Sequence, residues 1–143
     1  MLLELVEPVA GRPRVVLAAV DCVRLALAAT TDPDPTLAAA MDVVKGWARG
    51  ECTDAQVDEA QDRIGEVIER QESASAIGYA CLYVAQVARS GCWAQHDDPD
   101  AFRALSHAAD CLGEGGLSRL CDRVRACLEC PTLAELLAAY GAS

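Results

Sequence analysis

Near the C-terminal end the chain reads "CDRVRACLEC", Cys121 to Cys130, with a CxxC closing it. Three cysteines in ten residues could hold a metal or run thiol redox chemistry, or they could be small apolar residues on a helix. Helix geometry favours packing. At about 100° per residue, Cys121 and Cys130 fall on opposite sides of a continuous helix, so a single ion cannot collect all three. Cys121 and Cys127 flank a stripe of Leu117, Leu120, Val124 and Leu128, which predicts buried surface beside them. Cys127 and Cys130 share a face, but a structural zinc site takes four ligands, and no second CxxC or HxxxH is present.

A second set is made by Cys92 and His96 and by His107 and Cys111, each spaced i, i+4. Together they would compose a two-Cys, two-His zinc site. The intervening turn works against it: on antiparallel helices joined around Gln95–Pro99, His107 and Cys111 lie roughly 10–16 Å further along than Cys92. They remain weak metal candidates, and no cofactor is expected. No flanking pattern nominates a serine or cysteine partner for either histidine. "GEGG" (113–116) follows a helix rather than a strand and lacks phosphate-loop spacing, so it reads as a turn. No residue is nominated for catalysis, and the expectation is a non-enzymatic protein.

Asp21 sits in the middle of the most apolar segment, where a carboxylate needs a partner. Arg24, at i+3, is the nearest. The two make either a helix-surface pair or a polar site in a pocket. The strongest surface signal is acidic. From Glu51 to Glu72 there are eight acids and two arginines, which supply −6 of the chain's net −10. Asp54, Asp58, Asp62 and Glu66 step at i+4 along one face, and Glu69 continues the line. Like charges at that spacing cost a helix about 0.2–0.5 kcal/mol per pair. Glu59–Arg63 and Glu66–Arg70 offset part of this, whereas Asp54, Asp58 and Asp62 have no relief within the segment. The line is either a solvated face or a docking face for a basic partner. Trp47, just upstream in "KGWARGE", is either an aromatic anchor beside that face or a cap on the core.

The elements that carry these residues are helical throughout. Pro13 suits a first helical turn. Asp34-Pro35 opens another helix that Gly50 stops. Thr53 and Gln56 have capping-box spacing. Asp98-Pro99 starts a further helix that ends at Gly113. Pro131 separates "LSRLCDRVRACLEC" from "PTLAELLAAY", and residues 1–12 form a short helix or arm. Strand alternation is almost absent. The expected fold is all-α: one domain, 1–143, forming an antiparallel bundle of about six to seven helices. Helices around 14–30 and 74–90, apolar nearly all round, belong in the middle. The 53–72 helix, with its stripe of Val57, Ala60, Ile64, Val67 and Ile68, belongs outside.

Composition narrows the function classes. Apolar residues make up 52% of the 143, aromatics only 4%, which suits closely packed alanine-, leucine- and valine-rich helices. The apolar surplus hints at a surface covered by a partner or a second copy. The acidic balance argues against nucleic acid, since phosphate contact needs a basic face. "MLLELVE" has no basic n-region or cleavage-type site, and the longest apolar run, Val15 to Thr30, is interrupted by Asp21 and Arg24. These features predict a reduced, cytoplasmic protein with no membrane span.

"LAAVDCVRLALAATTDPDPTLAAAMDVVKGWARGE", Leu17 to Glu51, resembles the N-terminal half of an all-helical family of immunity proteins encoded beside bacterial polymorphic toxins. Asp21-Cys22, Asp32 to Pro35, and Trp47-Ala48-Arg49-Gly50-Glu51 carry the likeness, which covers about a third of the chain. The cysteine-rich C-terminal part departs from that pattern. The resemblance implies a protein that binds and silences one cognate toxin, and a basic toxin would suit the acidic helix. Trp47, Glu51, Asp54, Asp58, Asp62, Glu66 and Glu69 are then the candidate partner-binding residues. The alternative is a helical scaffold, regulatory subunit or homodimer within a larger cytoplasmic complex.

Overall fold

The computed structural model describes residues 11–71, 76–90 and 100–128. Among them are six helices and no strand: α1 Arg12–Ala29, α2 Pro35–Ala48, α3 Asp54–Arg70, α4 Ala76–Ser90, α5 Asp100–Leu112 and α6 Gly116–Leu128. The all-α expectation therefore holds. The short helices expected before residue 12 and after Pro131, and the Asp98-Pro99 start, lie outside the described residues.

Local chemistry sets the boundaries. Pro13 occupies the first turn of α1, where a missing N–H costs nothing. The Asp34 carboxylate accepts a hydrogen bond from the Thr36 N–H at 2.9 Å, and Pro35 follows it into α2. The Thr53 hydroxyl accepts from the Gln56 backbone N–H at 3.2 Å, and the Gln56 side-chain Oε1 accepts from the Thr53 backbone N–H at 2.8 Å. That reciprocal pair is a complete capping box. α2 ends where the Gly46 carbonyl gathers the N–H groups of Arg49, Glu51 and Cys52. This turn brings Cys52 so close that a Cβ on Gly46 would lie 2.6 Å from the Cys52 Sγ. "GEGG" is likewise a tight helix-to-helix turn. A Cβ on Gly116 would lie 2.7 Å from the Ala109 carbonyl oxygen, so only glycine fits.

α1 is the centre. It packs against α2, α4, α5 and α6, and Val15, Val16, Ala18, Ala19, Val20, Cys22, Val23 and Ala26 are all buried. α4 is the second interior helix, touching α1, α2, α3 and α5. α3 is peripheral and packs on α2 and α4 through Val57, Ala60, Ile64 and Val67, with Ile68 half-buried. Side-chain pairs fix the directions. Asp34 meets Arg70 while Trp47 meets Asp54, so α2 and α3 run antiparallel. Arg89 meets Asp54 and Asp58, so α3 and α4 do too. Tyr83 meets Arg103 and Tyr79 meets His107, which makes α4 and α5 antiparallel.

The helices share one core, in which alanine and valine alternate with a few larger side chains: Leu37, Met41, Ile64, Leu105 and Leu120. Small residues let helix axes approach closely and keep the packing dense. Among the described residues the exposed large hydrophobic is Leu117, at 52%. The apolar surplus of these residues thus goes inward. Leu117 also corrects the stripe expected on α6: Leu120 and Val124 are buried and Cys121 and Cys127 flank them half-buried, but Leu117 faces out. The buried line of α6 is Gly116, Leu120 and Val124, stepping at i+4, and Leu117 is turned about 100° from Gly116.

Candidate functional site

The acidic helix α3 is placed by its cap at Thr53 and by its buried stripe, which together turn its charged side away from the core. The structure divides the acidic line in two. Arg89, in the last turn of α4, donates from Nε to Asp58 Oδ1 at 2.6 Å, and its Nη1 lies 3.2 Å from Asp54 Oδ2. The Trp47 indole N–H donates to Asp54 Oδ1 at 2.7 Å. Asp54 and Asp58, which have no relief within the segment, are thus relieved from the neighbouring helices. The hydrogen bond from Arg89 to Asp58, helped by the nearby Asp54 charge, holds the Arg89 guanidinium above its ordinary pKa.

Asp62, Glu66 and Glu69 are exposed and have no cationic partner among the described residues. Glu59 is paired with Arg63 at 2.5 Å, as the i, i+4 spacing predicts. Arg70 is not paired with Glu66; it reaches Asp34 at 3.4 Å. Asp34 already caps α2, and the Thr36 hydrogen bonds, with a smaller contribution from Arg70, hold its carboxyl below the usual range. A guanidinium at the C-terminal end of α3 is therefore drawn to the N-terminus of antiparallel α2. Trp47 is half-buried against the core and tied to Asp54, so it caps the core at the α2–α3 corner. Glu51 is exposed in that corner, its N–H donated to the Gly46 carbonyl at 2.8 Å.

On the other side of α3 a groove of about 310 Å³ runs between α2 and α3. It is lined by Thr36, Ala39, Ala40 and Val43 of α2 and by Gln56, Ala60 and the Glu59–Arg63 pair of α3. Alanines on both helices are too short to close the cleft between them.

Asp21 and Arg24 do not pair. Although three residues apart, they are drawn to different helices: Arg24 hydrogen-bonds Asp42 of α2, while Asp21 faces α6. There Asp21 Oδ2 accepts from the Cys127 thiol at 3.1 Å and lies 3.4 Å from Arg123 Nε. The neighbouring Cys22 thiol points at the Leu120 carbonyl at 3.8 Å. Burial, followed by the nearby Cys127 and Asp21, pushes Cys22 up to about 12. Burial and the hydrogen bond to Asp21 push Cys127 to about 11. Both thiols are therefore protonated near neutral pH and are poor nucleophiles. The seam is a polar lock between α1 and α6.

His107 is stacked against Tyr79 and Tyr83, with ring centroids 5.7 Å away in each case. Arg103 lies 5.6 Å from the Tyr83 ring centroid. This aromatic seam joins α4 to α5. Cys111, one turn on from His107, is half-buried, and burial, with a lesser push from Asp110, raises its thiol. Cys81 is pushed to about 12 by burial and by the adjacent Cys111. Cys92, His96 and Cys130 lie outside the described residues. Among the described residues no three His, Cys, Asp or Glu side chains are grouped to hold a metal, and none of the helices is long and apolar enough to cross a membrane.

Sequence reasoning missed Arg89, Asp42, Arg123 and the two tyrosines. Arg89 left a usable signal. It closes a helix that must run antiparallel to α3, so it falls beside the first turn of α3, where Asp54 and Asp58 stand. No family model, curated protein or solved structure matches the chain.

Proposed function

We propose that the protein is a non-enzymatic binding module of immunity type, acting in the bacterial cytoplasm. It neutralises one cognate basic toxin, such as a nuclease, through the outward face of α3. The observation that carries this reading is the row Asp62, Glu66 and Glu69: three exposed carboxylates in three consecutive turns, with no cation beside them among the described residues. Such a row speeds encounter with a basic surface and rejects acidic ones. Against a nuclease it would occupy the positions that normally hold substrate phosphates. The likeness of Leu17–Glu51 to immunity proteins supports the same reading. The inward placement of the described apolar residues, with Leu117 as the exposed large one, favours a polar docking face over a permanent apolar scaffold or homodimer interface.

The test uses the whole chain as bait in lysate of its native host, followed by co-expression with the captured protein. The expected capture is a basic protein whose toxicity is relieved by co-expression. Its affinity should fall at least about tenfold in Asp62→Lys/Glu66→Lys, and fall with salt. Asp58 is left alone because Arg89 holds it. Salt-insensitive binding that survives the double reversal would overturn the reading.

A further inference from the structure

The division of the acidic line moves the free charge toward α2. At about 100° per residue, Glu66 lies roughly 20° around the helix from Glu59 and Asp62 roughly 60° from it, whereas Asp54 and Asp58 are turned roughly 100–140° away, toward α4. Glu59 lines the α2–α3 groove. The unpaired carboxylates and the groove are therefore neighbouring parts of one surface. Ala39, Ala40, Val43 and Ala60 supply the groove's apolar lining, and Thr36, Gln56 and the Glu59–Arg63 pair supply its polar lining. Its volume of about 310 Å³ lies at the small end of the range for ligand pockets, about 300–1,000 Å³. That space suits one large side chain better than a cofactor.

We propose that this groove seats a single large apolar side chain from a basic amphipathic helix of a partner protein. Lysines or arginines one turn from the anchor then meet Glu66 and Asp62. The proposal rests on the acidic-face reading and adds the anchor that charge alone lacks. Exposed ion pairs contribute little to affinity, and most binding energy comes from a few anchors seated in pockets. Charge complementarity selects the occupant: the carboxylates beside the groove disfavour an acidic segment. They also disfavour a second copy of this chain, whose matching surface carries the same charge.

Two synthetic helical peptides of identical lysine and arginine content serve as probes. One carries leucine at the anchor position, the other alanine. Affinity is read by fluorescence anisotropy at low salt, and the site by amide chemical shifts of Ala39, Val43 and Ala60. Wild type should bind the leucine peptide about tenfold tighter, a difference in the range expected of an anchor. Ala39→Leu fills the groove from an exposed helical position, where alanine and leucine are both strong helix formers. It should erase that preference while leaving the alanine peptide's affinity unchanged.

Equal affinity for the two peptides on wild type, still lost in Asp62→Lys/Glu66→Lys, would overturn the groove proposal and leave the acidic face standing. Leucine-selective binding that survives the charge reversal would overturn the pairing of groove and charge. Absence of binding by both peptides would overturn the two readings together. Shifts at Ala39 and Ala60 that follow protein concentration without peptide would identify a second copy as the occupant and overturn the proposal.

Discussion

Arg89 and Asp58, thirty-one residues apart, are joined at 2.6 Å, and this contact divides the acidic line of α3 into a paired and an unpaired part. The same guanidinium also lies beside Asp54. Replacing it with a neutral side chain of similar length, Arg89→Met, releases two carboxylates that already stand one turn apart. Thermal stability should fall, because like charges at i, i+4 repel, and the deficit should shrink as salt is added. A salt-independent deficit in a thermal melt would mean that Arg89 acts through packing of its stem instead.

The alkaline limb of stability should be governed by buried thiols. Cys22 and Cys81 are raised from an ordinary 9.0 to about 12 by burial. A group whose folded pKa is raised contributes stability fully below its unfolded value and loses it as pH rises toward the folded one. The window is therefore pH 9 to about 12. Denaturant midpoints should fall across it, and the slope should lessen in Cys22→Ala/Cys81→Ala even though that variant is less stable near neutral pH. An unchanged slope would place the alkaline sensitivity elsewhere.

Helix α6 offers a paired comparison. Leu120 is fully buried and Leu117 is 52% exposed. Leu120→Ala should cost about 2–5 kcal/mol, the usual range for a core leucine. Leu117→Ala should stay within about 0.5 kcal/mol of wild type. Urea titrations of the two variants check both values. A large loss at Leu117 would show that it is covered in solution.

The corner between α2 and α3 predicts coupling. Gly46→Ala adds helix propensity worth about 1 kcal/mol, but its Cβ would meet the Cys52 Sγ at 2.6 Å. The single substitution should destabilise, and Cys52→Ala should remove the clash. The double variant should then be more stable than the sum of the two singles, by more than the ~0.5 kcal/mol within which independent sites add. Additivity in a double-mutant cycle would show that the sulfur moves aside freely.

What was legible in the sequence is what depends on a few adjacent residues. The Thr53–Gln56 box, the Asp34 cap and the stripe of α3 are local, and each stands where its spacing places it. The division into interior and peripheral helices was legible because it follows from how far the apolar surface extends around each helix. Partner choice by charges was not. Arg24 had Asp21 three residues away, yet it pairs with Asp42 across a helix interface. Arg70 had Glu66 four residues away, yet it reaches Asp34. Exposed helix pairs contribute only about 0.3–0.5 kcal/mol, so a small change in helix packing redirects them. The acidic line of α3 was legible as a surface feature, since its stripe of Val57, Ala60, Ile64 and Val67 fixes which side faces out. Its division at Arg89 and its groove depend on the neighbours α4 and α2, which no residue of α3 encodes.

The central position of α1 bears on the order of events during synthesis. α1 emerges from the ribosome before its partners, and Cys22 must wait 98 residues for the Leu120 carbonyl it faces in the finished bundle. At about 5–20 residues per second, that is roughly 5–20 s before the α6-facing side of a helix apolar on nearly every side is covered. The nascent chain is most vulnerable to aggregation in that interval. α2, α4 and α5 cover α1 in turn as they emerge, and the side that carries Cys22 is the last to be closed, by α6.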